Sequence, residues 1–345
     1  MAHLYLTVII PSVLSFLVTF FATEFILGYF YDAGIIGEDR NKEKDVRLPS
    51  SGGVAVAFGF IVGILTYTFG GSFLFNPDLS IELLLSAALS VMLIAFIGFL
   101  DDLNVKAKRV DSTGRKDIRK GLKQWQKPLL TVIGALPLVA INAGIGIINV
   151  PLLGQLNLGI IYPIIIIPLA VIFVSNAFNL LGGFDGLQTG MGLAASLGFV
   201  IYSIFYGNYM GLILSSVLFT SILAFLPFNS FPSKVIPGDS FTYAVGGALV
   251  VIMIMGQAEA FGFVVFMPWI IEFFLHLRKK FKVSDLGIRQ RDGTMKAPYG
   301  GRIYSLTHLI MNTKRVKEQE VSMYLTLLEI GFVALALALK FSGLL

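Results

Sequence analysis

The chain contains no cysteine, which excludes disulfides and thiolate metal sites, and only three histidines in 345 residues, which points away from zinc. Charged residues are scarce at 14%, against 56% hydrophobic residues and a mean hydropathy of +0.81. A soluble fold of this composition would need a core larger than its surface could cover, whereas a membrane domain needs no such cover. No GxxxxGK[ST] loop and no GxGxxG after a strand occurs, so ATP hydrolysis is unsupported. No internal repeat or soluble-domain boundary is visible, and residues 1–345 read as a single membrane domain.

Cations are also missing from most of the chain: there is no Lys or Arg at 1–39, 48–105, 128–233 or 235–277. All 26 Lys and Arg residues other than Lys340 fall in four stretches, about 28–51, 101–127, 228–240 and 277–321. Cytoplasmic loops of polytopic membrane proteins carry such an excess, because translocating cations is disfavoured. The chain is therefore expected to be a multi-pass integral membrane protein with its polar chemistry on the cytoplasmic side. The pI near 9.2 reflects this topology and calls for no nucleic-acid partner, since cations facing anionic membrane lipids account for most of it.

A spanning helix needs about 20 mostly apolar residues. Ten runs qualify, near 5–27, 52–69, 82–100, 128–145, 159–177, 188–206, 209–227, 241–256, 259–276 and 322–343. The expected fold is all-α, with about ten transmembrane helices and both termini outside. Gly52-Gly53 reads as a turn leading into the second span. In the last basic stretch, Asp292-Gly293 between Ile288–Arg291 and Thr294–Lys296 signals a β-hairpin, the one piece of sheet expected. The stripe Ile303, Leu306, Leu309 and Ile310 then suggests a short interfacial helix.

Four aspartates carry the chemical argument. Asp101 and Asp102 end one apolar run, Asp185 follows Asn176–Phe184, and Asp239 precedes another run, all at expected cytoplasmic helix mouths. Any one of them could be an ordinary helix-end acid. Carboxylates at that depth are costly unless paired, hydrated or bound to a cation, and four on one face beside Asn176, Asn179 and Lys127 point to a site. Adjacent helix residues point about 100° apart, so Asp101 and Asp102 cannot serve one point equally: one could meet a reacting phosphate while the other holds a cation such as Lys127. Asn176 and Asn179 share a helix face, and Gly182-Gly183 then breaks the helix and admits a close ligand. Oxygen donors of this kind suit Mg²⁺ or Mn²⁺, and Mg²⁺ commonly completes its shell with substrate phosphates, so a pyrophosphate substrate is expected. His276 and Arg278, where the ninth run ends, and Arg47, before the second, are further candidates for substrate contact.

Taken in order, Arg47-Leu-Pro-Ser-Ser-Gly-Gly53, Gly98-Phe-Leu-Asp-Asp-Leu-Asn104, Gln126-Lys-Pro-Leu-Leu130, Asn176-Ala-Phe-Asn-Leu-Leu-Gly-Gly-Phe-Asp-Gly-Leu187 and Phe231-Pro-Ser-Lys-Val-Ile-Pro-Gly-Asp-Ser240 resemble the polyprenyl-phosphate N-acetylhexosamine-1-phosphate transferases. The chain looks most like the UDP-GlcNAc:dolichyl-phosphate branch in its archaeal form. The resemblance implies ten spans, a cytoplasmic active site and a homodimer. It also implies the substrates UDP-GlcNAc and a polyprenyl (dolichyl) phosphate, in a cell membrane or, for a eukaryotic member, the endoplasmic reticulum. It suggests Asn179 and Asp239 as Mg²⁺ ligands, Lys127 as a pyrophosphate contact and Asp101 and Asp102 by the lipid phosphate. Asn176 would lie near the phosphates and Asp185 on the uracil edge, with the backbone at Gly183 and the side chain of Ile236 around the base. The sequence departs from the family pattern in its last loop, where only His276-Leu-Arg278-Lys-Lys280 stands in place of a basic or histidine-rich cluster. Two alternatives are weighed beside this reading. The phospho-MurNAc-pentapeptide transferase shares the chemistry. A secondary transporter would place ionisable groups at mid-membrane, whereas Glu24, Glu259, Glu272 and Glu329 are expected toward span ends.

Overall fold

The computed structural model describes residues 2–39, 41–42, 46–74, 79–103, 106–110, 116–119, 121–150 and 154–345. Asn104 and parts of the loops 70–82 and 144–159 fall outside these residues. The helices are α1 Ala2–Asp32, α2 Gly53–Phe73, α3 Ile81–Asp102, α4 Gln126–Ala140, α5 Ile167–Phe178 and α6 Leu187–Phe205. They continue with α7 Tyr209–Asn229, α8 Gly238–Met255, α9 Glu259–Val265, α10 Met267–Leu277, α11 Leu306–Thr313 and α12 Glu318–Phe341. The chain folds as a polytopic membrane protein.

Among the described residues, seven helices are long and apolar enough to cross a membrane: α1, α2, α3, α6, α7, α8 and α12. The pair α9 and α10, bent by 59° at their junction, is apolar enough when taken together to form a broken span or a re-entrant loop. Pro268 explains the break, since it cannot donate back to the preceding turn. The two remaining apolar runs form shorter helices, α4 and Tyr162–Phe178. The latter opens with a wide turn at Tyr162–Ile166, where Pro163 and Pro168 remove two backbone donors.

α8 is the axis of the bundle. Its span is 89% buried, against 33% for α1 and for α12, so those two lie at the periphery with rings such as Phe25 turned outward. α8 packs against α2, α3, α5 and α7. Two glycines let the first turn of α8 touch its neighbours' backbones. A Cβ at Gly53 of α2 would lie 1.9 Å from the Phe241 nitrogen, and one at Gly98 of α3 would lie 2.3 Å from the Asp239 carbonyl oxygen. Two helices, α2 and α3, therefore meet the first turn of a third, α8, at Asp239.

The expected hairpin is present, with Ile288–Arg289 paired to Thr294–Lys296 and Gly293 at φ +81° in the turn. Val316–Lys317 adds a third strand to it. The fold has more sheet than expected, with ribbons joining Ile36–Asp39 to Val46–Pro49, Lys106–Val110 to Lys116–Arg119 and Ile147–Val150 to Gly154–Asn157. In all three, a loop that leaves a helix and returns to the same face satisfies its backbone by pairing with itself. The expected short helix is α11, which buries Leu306 and Met311, although Ile303 of the expected stripe precedes it and Leu309 is exposed. A further expectation fails: Glu329 lies near the middle of the 24-residue α12, fully buried, because the helix starts earlier than its apolar run.

Candidate active site

Asp101 and Asp102 close α3 and diverge as helical spacing requires. Asp101 pairs with Lys127 and accepts the backbone N–H of Leu122. Asp102 caps α8, accepting the backbone N–H groups of Asp239 at 2.7 Å and Ser240 at 3.0 Å. A carboxylate is favoured there because the first N–H groups of a helix lack internal partners. Gly238 permits the approach: its φ is +75°, and a Cβ would lie 2.3 Å from Asp102 Oδ2.

Lys127, in the first turn of α4, donates to Asp239 Oδ2 at 2.6 Å, and Asn179 Nδ2 donates to the same oxygen at 3.0 Å. Asn179 Oδ1 accepts from Thr242 Oγ1 at 2.9 Å. Asn176, one turn earlier, accepts from the Tyr243 hydroxyl at 2.8 Å and donates to Thr131 Oγ1 at 3.1 Å. Asn176 and Asn179 thus face α8 together. Thr242 and Tyr243 were not singled out from the sequence, although their spacing of three and four from Asp239 puts them on its helix face. Two carboxylates, Asp101 and Asp239, share the single ammonium of Lys127, while the neighbouring Asp102 is held by the backbone N–H groups of Asp239 and Ser240. That excess of buried negative charge, with oxygen donors from Asp239 and Asn179, fits a hard divalent cation.

A cavity of about 1170 Å³ opens beside this cluster, and Arg47, Asn179, Gly183, Asp185, Ile236 and Asp239 all line it. Its walls draw on all four cation-bearing stretches, including Leu103 and residues 283–286. Asp101, Asp102 and Lys127 reach the cavity through Asp239. Gly183, at φ +88°, ends the helix break, and Leu286 lies 2.8 Å from where its Cβ would be.

Asp185 belongs to a second lysine-centred cluster that the sequence did not reveal. Lys42 Nζ lies 2.7 Å from Asp185 Oδ2, 2.8 Å from Glu318 Oε2 and 3.2 Å from Asp39 Oδ2. Asp185 also accepts the Ser233 backbone N–H at 2.9 Å, and its carbonyl accepts from Ser322 Oγ at 2.7 Å. Burial pushes the Asp185 carboxyl above its ordinary range, and the bonds from Lys42 and Ser233 only partly offset this. Burial works against the Lys42 charge, yet bonds to Asp185 and Glu318 outweigh it and raise its pKa.

His276 and Arg278 stand apart from both clusters. His276 Nε2 lies 2.9 Å from Glu272 Oε1 and 2.9 Å from Asp285 Oδ1. Arg278 donates to the Ile303 carbonyl at 3.3 Å and lies over the Tyr304 ring. Asp285 and Leu286 line the cavity, although nothing in their local sequence marks them.

Residues 84–257, half of the chain, match the family model described as glycosyl transferase family 4. The chain belongs to glycosyl transferase family 4. A protein of Saccharolobus solfataricus, provisionally named UDP-N-acetylglucosamine–dolichyl-phosphate N-acetylglucosaminephosphotransferase, is 32% identical over 338 residues, 97% of each chain. One of the same provisional name from Sulfolobus acidocaldarius is 30% identical over 341 residues, again 97% of each chain. A phospho-N-acetylmuramoyl-pentapeptide-transferase of Clostridium beijerinckii is 34% identical over 192 residues, 53% of this chain and 55% of that one. Like the rest of glycosyl transferase family 4, this chain is a transferase, and the matched segment runs from α3 through α8, carrying Asp101, Lys127, Asn179 and Asp239.

Proposed function

We propose that the protein transfers N-acetylglucosamine 1-phosphate from UDP-GlcNAc to a polyprenyl phosphate of the dolichyl class, giving polyprenyl diphosphate-GlcNAc and UMP. The observation that carries this reading is the Asp239–Lys127–Asn179 cluster at the edge of a cavity lined by Gly183, Asp185 and Ile236. The extent of similarity supports it over the MurNAc-pentapeptide reading, since the relatives of the dolichyl-phosphate name match 97% of the chain and the latter 53%. The gathering of the basic stretches around the cavity supports an active site on the cytoplasmic face of the cell membrane.

In the proposed reaction an oxygen of the lipid phosphate attacks the β-phosphorus of UDP-GlcNAc. The bond from that phosphorus to the bridging oxygen breaks, and the oxygen departs with UMP. A phosphate monoester loses its second proton near neutrality, so the acceptor is already a nucleophile and needs no covalent enzyme intermediate. The difficulty is the meeting of two anions. Lys127 offsets it with a positive charge held beside the cavity by Asp101 and Asp239. Asp239 and Asn179 would hold Mg²⁺, which when bound supplies charge neutralisation at the diphosphate and the leaving UMP. Asn179 Oδ1 has a second lone pair beyond its bond from Thr242. Asp102 fixes the first turn of α8, and Asn176 and Tyr243 fix the face that carries Asn179 and Asp239. Asp185 would read the uracil edge, with Gly183 and Ile236 flanking the base and Arg47 near the phosphates.

The test is direct. Purified protein receives UDP-GlcNAc labelled in the sugar, dolichyl or undecaprenyl phosphate and Mg²⁺, followed by organic extraction. Label should enter the lipid phase with equimolar UMP release, and UDP-MurNAc-pentapeptide should give none. Label from the pentapeptide donor alone would favour the peptidoglycan reaction, and none from either would end the transferase assignment to these substrates.

A further inference from the structure

Among the described residues, three groups gather acids around one positively charged or chargeable centre. In two of them a lysine occupies the centre, Lys127 or Lys42. The third is Glu272, His276 and Asp285, whose ligating atoms lie within 4.8 Å of one another. Among the described residues, no Lys or Arg pairs with either of its carboxylates. Arg278 is turned to the Ile303 carbonyl, and Lys279 lies over the Tyr299 ring.

The hydrogen-bond accounting of this group does not close. Glu272 is 0% exposed and His276 4%. The single Nε2 of His276 faces two carboxylate oxygens, each at 2.9 Å, but carries at most one hydrogen. That hydrogen bond goes to Asp285, and Glu272 Oε1, aimed at the same nitrogen, has no hydrogen-bond partner. With the imidazole protonated and both carboxyls ionised, one negative charge is left uncompensated at the end of α10. A dication at the point where the three atoms converge would satisfy the nitrogen lone pair and both oxygens, and the charge would sum to zero.

We propose that Glu272, His276 and Asp285 form a second metal site, taking a divalent transition ion of the Zn²⁺ or Mn²⁺ class. One imidazole with two carboxylates is a donor set that such ions accept and that Mg²⁺, which prefers oxygen alone, does not favour. The ligands are already oriented by outer contacts. Glu272 Oε2 accepts the Leu306 backbone N–H at 2.8 Å, and the Asp285 carbonyl accepts from Thr307 Oγ1 at 2.9 Å. Glu272 and His276 sit one turn apart on α10, whereas Asp285 comes from the loop 283–286 that walls the cavity, with Leu286 against Gly183. The ion would fasten that wall to α10 and to the start of α11. The site shares no residue with the Asp239 cluster and does not depend on the reaction assigned above.

The experiment uses tag-free, full-length protein stripped with a chelator and titrated calorimetrically with ZnCl₂ or MnCl₂ in excess Mg²⁺. Wild type and Asp239→Ala should each bind one equivalent. His276→Ala should lose it, and Glu272→Gln should bind at least tenfold more weakly. Hydrogen exchange gives a second reading. Adding Zn²⁺ should slow exchange across 283–286 in wild type and leave Asp285→Asn unchanged, even if His276→Ala fails to fold. Equal binding by wild type, Glu272→Gln and Asp285→Asn, with exchange at 283–286 indifferent to the metal, would overturn the proposal.

Discussion

The two lysine-centred clusters at the cavity resemble each other in composition and differ in construction. Around Lys127 the acids come from the ends of α3 and α8, and the surrounding partners, Asn176, Asn179, Thr242 and Tyr243, are on helices packed at the bundle axis. Around Lys42 they come from a β-ribbon, the α5–α6 loop and the start of peripheral α12. A group that must meet a reacting atom is best held by rigid elements, whereas recognition tolerates a mobile frame. Under the proposed reaction the contrast suits chemistry to the first cluster and nucleotide recognition to the second, and the predictions test that division.

The largest effect is expected at Asp239. Asp239→Ala removes the acceptor for both Lys127 and Asn179 and one expected metal ligand, so kcat should fall at least about 10³-fold. Excess Mg²⁺ should restore part of it, and full activity of this variant in a chelator would refute the metal assignment. Next comes Asp185→Ala, which should raise KM for UDP-GlcNAc about tenfold to a hundredfold while kcat stays within about threefold. A collapsed kcat at unchanged KM would instead place Asp185 in the chemistry. The pH response follows from the same residue. In the proposed role the ionised carboxylate is the stronger acceptor for the uracil N–H, and burial raises its pKa, so KM should climb on acidification while pH is still above the ordinary carboxylate range. Asp185→Asn should flatten that dependence in a KM–pH profile. The smallest effect belongs to Arg278→Ala, whose guanidinium serves Ile303 and Tyr304 outside the cavity: kcat/KM should stay within about twofold. A loss beyond tenfold would bring Arg278 into the site.

Much of this architecture was legible because membrane insertion imposes rules that single residues reveal. The segregation of Lys and Arg marks the spans, Asp292-Gly293 marks a hairpin, and the three-residue spacing of Asn176 and Asn179 gives their common face. The divergence of Asp101 from Asp102 follows from helix geometry alone. The Lys42 cluster was not legible: its partners Asp185 and Glu318 lie 143 and 276 positions away, and Lys42 is one of several cations in its stretch. Asp285 joins His276 only through the fold of the last loop. Glu329 was misplaced because apolar content alone does not locate the start of α12, whose first turn carries Glu318 and Glu320.

The central claim is that the ammonium of Lys127 works on the transferring phosphate and not on the binding of the nucleotide. Single-turnover transfer by Lys127→Met, followed at saturating UDP-GlcNAc alongside UDP affinity by calorimetry, tests it most directly. The rate should fall about 10²- to 10³-fold with UDP affinity changed by less than about fivefold. A near-normal rate with affinity lost would contradict the division of labour between the two clusters.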